Sequence, residues 1–244
     1  MINKLVLQSV INKYYLGVNE KVVWKFKDNT LQIDFMSPTR NIIGKVIHND
    51  ISLKDCELAI FDTKKLQNLL SICNGELLLD FESTNDVYTK LKISDMNFNL
   101  DYALSDPIVI PKVGTVNVPE WKVEAELDDE DIVNIVKAKS ALSDVDNMLV
   151  TTSKNMDDED ILEFIFGDES GHNNKITYQL KADVKEKNIK LPFNSELLKN
   201  ILHANKDMEG GKLYLNPMGL MKLEFENENV SSEYYLTRMA EREF

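Results

Sequence analysis

The chain repeats itself. Phe61-Asp62 is followed by Leu66, Asn68, Leu69 and Leu70, and Phe193-Asn194 is followed by Leu198, Asn200, Ile201 and Leu202. A shift of 132 residues, from 61 to 193, superposes the two as Phe, Asp or Asn, three variable positions, Leu, one variable position, Asn, Leu or Ile, Leu. Each copy reads as a β-like run ending in Phe, a cap residue, and apolar residues at helical spacing. A glycine-led β-like run follows each, Gly75 to Leu79 in one and Gly211 to Leu215 in the other. Self-similarity at this distance predicts two successive units of one architecture, and 244 residues is length enough for two.

Four amphipathic helices are expected. The first runs from about Asn3 to Tyr14, with Val6, Leu7, Val10, Ile11 and Tyr14 on one face. The second is capped by Asp62, carries Leu66, Leu69, Leu70 and Cys73, and stops at Asn74-Gly75. The third follows the acidic run Asp128 to Asp131, whose carboxylates suit a helix N-terminus; Ile132, Ile135, Val136 and Leu142 form its stripe. The fourth starts at Asn194, with Ser195-Glu196 in its first turn and Leu197, Leu198, Ile201 and Leu202 as its stripe. Between the helices lie β-like runs that alternate apolar and polar residues, as half-buried antiparallel strands do. They include Lys21 to Phe26, Leu77 to Phe81, Phe98 to Leu104, Trp121 to Leu127 and Ile176 to Val184. The fold class is therefore α+β, with two helices and antiparallel sheets in each of two similar domains. Three of the six prolines fall between Asp106 and Pro119. Proline removes ladder donors and favours extended chain. The division is residues 1–105, an apolar linker at 106–119, and 120–244.

Net charge is −13, which by itself argues against a phosphate-binding protein. The charges are segregated, however. Taken just inside their caps (3–14, 63–74, 132–142 and 197–206), the helices hold Lys4, Lys13, Lys64, Lys65, Lys137, Lys139, Lys199 and Lys206 and no Asp or Glu, in a chain with 41 acidic residues. Lys4 lies with Gln8 and Asn12, Lys64 with Gln67, Asn68 and Ser71, and Lys137 with Asn134; Lys199, His203 and Lys206 are spaced i, i+4, i+7, and Lys139 lies toward the apolar stripe. An ordinary solvated helix mixes signs, because Glu–Lys pairs at i,i+4 support it. Four helices without acids predict a shared face that meets a polyanion, while the acidic remainder faces away.

Cys56-Glu57-Leu58-Ala59-Ile60-Phe61-Asp62, running into Leu66-Gln67-Asn68-Leu69-Leu70-Ser71, resembles the corresponding strand and helix of DNA sliding clamps of T-even-type bacteriophages. Ser37-Pro38-Thr39-Arg40-Asn41-Ile42-Ile43-Gly44-Lys45 and the acidic tail Glu241-Arg242-Glu243-Phe244 are similar to that group as well. The resemblance implies two clamp-type domains per chain and a homotrimer that closes into a pseudo-sixfold ring, helices inside and sheets outside. It implies a processivity factor, not an enzyme, that encircles duplex DNA without sequence preference. Its partners would be a DNA polymerase and an ATP-driven clamp loader, in the cytoplasm of an infected bacterial host, with no cofactor. It also implies a shallow pocket for partner peptides, bordered by Val109 and Ile110 of the linker, Pro217 and Met218, and Met239 and Ala240.

Other chemistries find little support. His48, His172 and His203 lie far apart, with no neighbour at metal-ligand spacing. Asp157-Asp158-Glu159-Asp160 lacks the alternating ligands and central glycine of a calcium loop and reads as a solvated acidic loop. No nucleophile elbow, Walker loop or dinucleotide fingerprint occurs. Trp24 and Trp121 read as core or interface residues, and two cysteines are too few for a disulfide framework. No run of 18 apolar residues predicts a membrane span. The competing readings are an acidic, β-rich phage tail or capsid component, for which helices free of acids would have no purpose, and a metal-dependent nuclease built on an acidic cluster.

Overall fold

Short polar side chains start all four helices. Asn3, Asp62, Asp128 and Asn194 each accept a backbone N–H from the first turn that follows, and Asp128 and Asp131 satisfy one another's N–H groups in a capping box. The computed structural model describes residues 1–51, 53–85, 87–118, 120–167 and 174–240. The chain divides into two units: Met1–Gly114 with Glu228–Ser232, and Thr115–Asn227 with the residues from Glu233 onward.

The first unit contains β1 (Ile2–Asn3), α1 (Lys4–Tyr15), β2 (Val22–Lys27), β3 (Thr30–Met36), β4 (Ile42–His48), β5 (Cys56–Ile60), α2 (Thr63–Ser71), β6 (Glu76–Thr84), β7 (Val87–Ser94) and β8 (Asn99–Ala103). A single 3-10 turn follows at Pro107–Val109. The second contains β9 (Val123–Leu127), α3 (Asp129–Ala141), β10 (Asn147–Lys154), β11 (Asp160–Gly167), β12 (Lys175–Lys181), β13 (Asp183–Val184), β14 (Lys190–Asn194), α4 (Ser195–Ala204), β15 (Gly211–Asn216), β16 (Leu220–Glu226) and β17 (Val230–Thr237).

The repeat extends to the topology. Strands run in the order β1-β6-β7-β8 in the first unit and β9-β15-β16-β17 in the second. The other layer runs β5-β2-β3-β4 and β14-β10-β11-β12. Apart from the two-residue β13, which pairs with β9, the second unit reproduces the element order of the first, which is why one sequence motif recurs at one joint of each.

Each unit has its own core. In the first, Trp24, Tyr14, Leu7, Ile11, Leu66 and Leu70 are 0–1% exposed; in the second, Phe164, Phe166, Phe193, Leu198, Ile201 and Leu202 are. Burying one such side chain contributes about 1.5–3 kcal/mol. Two departures from the sequence reading have local causes. Residues 176–184 do not form one strand: the chain changes partner at Ala182, so β12 pairs with β11 and β13 with β9. Phe61 and Phe193, the first letters of the repeated motif, are not equivalent either. Phe193 is fully buried in β14, whereas Phe61 follows β5, is 41% exposed and lies under the Lys21 ammonium at 4.0 Å. Among the described residues no helix is long and apolar enough to cross a membrane, and no cluster of three metal-ligating side chains forms.

Candidate nucleic-acid interface

In each unit the two helices pack as an antiparallel pair. At the start of α1, the Lys4 ammonium donates to the carbonyls of Ser71 (3.0 Å) and Cys73 at the end of α2. At the start of α2, Thr63 donates its hydroxyl (2.9 Å) and its N–H (3.1 Å) to the carbonyl of Glu20, just beyond α1. The second unit repeats the device. Ser195, at the start of α4, donates its hydroxyl to the Val145 carbonyl (2.7 Å) and its N–H to the Asp146 carbonyl (2.9 Å). Thr63 and Ser195 are both 0% exposed and stand at the same shift as the sequence motif. The Tyr14 hydroxyl joins Thr63 to the Trp24 indole (3.3 Å each), and burial lifts its pKa well above the ordinary tyrosine value.

The eight lysines read from the sequence divide by environment. Lys64, Lys65, Lys137 and Lys206 are exposed, and none has an acidic partner within 4 Å among the described residues. Lys4 is half-buried, its charge spent on the α2 carbonyls. Lys13 is 0% and Lys139 2% exposed, and these two assignments to a DNA-facing wall are corrected. Lys13 donates to the Ser9 hydroxyl at 3.0 Å. Lys139 bridges the carbonyls of Leu142 (3.4 Å) and Ser143 (3.1 Å), satisfying orphan acceptors at the end of α3.

Lys199 is also compromised. Glu196 lies 2.8 Å from it and 3.4 Å from Lys139. Glu196 has its pKa lowered, by the Lys199 hydrogen bond first, against the opposing effect of burial. It stands within α4, as Asp129, Glu130 and Asp131 stand within α3, so the helices are not wholly free of acids. The i,i+3 spacing of Glu196 and Lys199 carries that pairing in the sequence. Asp131 is committed elsewhere: it accepts the Tyr178 hydroxyl of β12 at 2.6 Å, and burial together with this bond pushes the tyrosine up to about 12.

On the strands some lysines are neutralised by carboxylates, whereas Lys27, Lys45, Lys175 and Lys212 are exposed with no acidic partner within 4 Å among the described residues. Lys90 meets Glu82 (3.3 Å) and Asp101 (3.4 Å), Lys92 meets Glu82 (2.5 Å), and Lys222 meets Glu233 (3.2 Å) and Glu224. Exposed lysines without an acidic partner thus occur on helices and strands alike.

The residues expected to border a peptide pocket fall in both units. In the first, Val109 is 49% exposed, and Ile110 is 7% exposed beneath the 3-10 turn. In the second, Pro217 and the 78% exposed Met218 form the β15–β16 turn. That turn is tied to the chain end by the Arg238 N–H on the Gly219 carbonyl (2.7 Å). Met239 is half-buried with its N–H on the Pro192 carbonyl (2.8 Å), and Ala240 is exposed. The tail 241–244, His172 and most of the Gly167–Gly171 turn lie outside the described residues. Strands β8 and β12 are each the outer strand of a four-stranded sheet.

Two topologically equal α+β units, each presenting a helix pair against antiparallel sheets, define the clamp-type fold. No family model matches this sequence, and no curated protein matches it either. Solved structures do. The chain is similar to the Proliferating Cellular Nuclear Antigen from Entamoeba histolytica, with a TM-score of 0.71 at 16% identity over 98% of this chain and 96% of that one. It is similar also to the PCNA2–PCNA3 complex from Sulfolobus tokodaii, with a TM-score of 0.74 at 12% identity over 98% of each chain. At such identities the likeness establishes the fold, a sliding-clamp fold of two domains.

Proposed function

We propose that this protein is a DNA sliding clamp, a non-enzymatic processivity factor that encircles duplex DNA and tethers a replicative polymerase. The observation that carries the reading is the clamp-type fold itself, together with the exposed Lys64, Lys65 and Lys137 on its helices and Lys206 just beyond α4. Lysine suits a sliding contact: it is a compact, strongly hydrated charge, whereas arginine grips phosphate bidentately. Contacts of this kind go to phosphates and are blind to sequence.

Three copies close the ring head to tail, β8 of one against β12 of the next. Both strands have an open edge, and open edges seek partners. Residues 1–105 and 120–244 act as the two clamp domains, with 106–119 as their linker. Val109, Pro217, Met218, Met239 and Ala240 hold short apolar peptides of the polymerase and of an ATP-driven loader. The sequence resemblance at residues 56–74 supports reading it as a clamp of the T-even phage type, acting in the cytoplasm of an infected bacterium. Solution mass and particle imaging test the assembly: three-chain rings with a central hole are expected, and a persistent monomer even after crosslinking sinks the proposal. Met218→Asp tests the peptide site, because Met218 is exposed and its change leaves the core untouched. Unaltered polymerase binding would put that site elsewhere.

A further inference from the structure

The two units differ at one place where their topology makes them comparable. In the second, β9 covers the edge of β15 along five residues, ending with Val123 opposite Leu215, and the Lys122 N–H extends the ladder to the Leu215 carbonyl (3.1 Å). In the first, β1 covers only Glu76 and Leu77 of the nine-residue β6. Aligning the glycines that lead these strands, Gly75 with Gly211, makes Leu79 the counterpart of Leu215. Among the described residues no strand lies opposite Leu79 or beyond it to Thr84 on that edge. The backbone there faces outward: the Phe81 N–H is met by the carboxylate of its own neighbour Asp80 (2.8 Å), a stopgap for a missing ladder bond.

A cavity of about 480 Å3 lies alongside, lined by Met1, Val6, His48, Ile51, Leu53 and Leu79 among others. Its lining is mixed, with apolar side chains alongside Asn3, His48, Asn229 and the Asp50 carboxylate. The second unit displays what fills the equivalent place: an extended segment whose Val123 is 1% exposed.

We infer that the open β6 edge and this cavity form a docking site for an extended peptide of a partner protein, added antiparallel to β6. An exposed ladder edge is a template for strand addition, in which main-chain bonds give affinity and alternate side chains give specificity. The partner places an apolar side chain, valine-sized as Val123 is, into the cavity opposite Leu79. The residue before it donates its N–H to the Leu79 carbonyl. A basic residue follows, meeting Asp50. Lys54, over the rings of Phe81 and Tyr88 at 5.6 and 5.3 Å, disfavours a cation at the other end. The surface lies wholly within the first unit and does not include the residues proposed above to bind polymerase.

The test uses the full chain and a fluorescein-labelled, end-blocked hexapeptide, Ser-Thr-Trp-Thr-Val-Lys, followed by anisotropy and by amide hydrogen exchange. Saturable binding with slowed exchange of the Phe81 amide is expected. Replacing the peptide's lysine by glutamate should weaken binding about three- to tenfold, and Asp50→Asn, which keeps a residue type tolerant of the positive φ at 50, should erase that difference. N-methylation of the threonine before valine should abolish binding to the unaltered protein, so the backbone bond is tested without risk to the fold. Absence of binding at millimolar peptide, or binding that leaves the Phe81 amide exchanging freely, overturns the inference. Phe81 protection that rises with protein concentration in the absence of peptide overturns it too, and makes a second copy the occupant.

Discussion

Removing Lys64 and Lys137 together, as Lys64→Ala with Lys137→Ala, should halve the electrostatic hold on DNA without touching the fold. Both side chains are exposed, one in each unit, and neither has an acidic partner. Loss of such surface groups changes stability by roughly 0.5 kcal/mol or less. Lys64, Lys65 and Lys137 on the helices and Lys206 just beyond α4 make four exposed lysines per chain, hence twelve in a three-copy ring. With about half of them near a phosphate at any moment, Z is about 6 and the slope of log K against log salt about −5.4. A fourfold rise in salt then costs about 2,000-fold in affinity for the unaltered ring. The variant keeps Z near 3, a slope of about −2.7, and a loss of only about 40-fold over the same range. Anisotropy of a labelled 30-base-pair duplex, at salt from about 50 to 200 mM, reads both slopes directly. Lys222→Ala, on a sheet and paired with glutamates, serves as a contrast and should leave the slope unchanged. Equal slopes for the double variant and the unaltered protein would refute a DNA-facing role for these helices.

Other expectations follow from the buried polar groups. Lys139→Ala removes the donor held by the Leu142 and Ser143 carbonyls and opens a cavity, so thermal or urea unfolding should register a loss of about 2–4 kcal/mol, against almost none for Lys137→Ala. Thr63→Val and Ser195→Ala each delete a buried hydroxyl bonded to the carbonyl after the first helix of a unit; each should cost about 1–2 kcal/mol in denaturant titrations, and effects of very different size would show that the two joints are not equivalent. Glu196, facing Lys199 and Lys139, has a lowered folded-state pKa, so its contribution is present above the ordinary glutamate value of 4.5 and is lost as pH falls through the lowered one. The melting difference between the unaltered protein and Glu196→Gln should therefore shrink below pH 4.5, and a difference that grows on acidification would reverse the assignment.

How far the sequence carries can be argued at particular residues. Caps and apolar stripes are local, so Asn3, Asp62, Asp128 and Asn194 were legible as helix starts, and the recurrence of one joint at 61 and 193 implied the equal topologies found in the two units. β1 was not legible, because two residues are too short to show a period. Neither was the break at Ala182, where one alternating run serves two sheets; alternation fixes which face a residue takes but not which strand it joins. The lysines mark the boundary most sharply. Lys139 stands four residues after Ile135 and seven after Ile132, which places it on the buried stripe, and there periodicity outweighed charge. Lys13 stands three residues after Val10 and seven after Val6, so it falls on the apolar face of α1 by the same rule, and it is buried there. The segregation of charge is weaker in the structure than a count along the helices suggests. The helices do not lack acids, since Glu196 and Asp129 to Asp131 are among their residues, and exposed lysines without acidic partners stand on the strands as well, at Lys27, Lys45, Lys175 and Lys212.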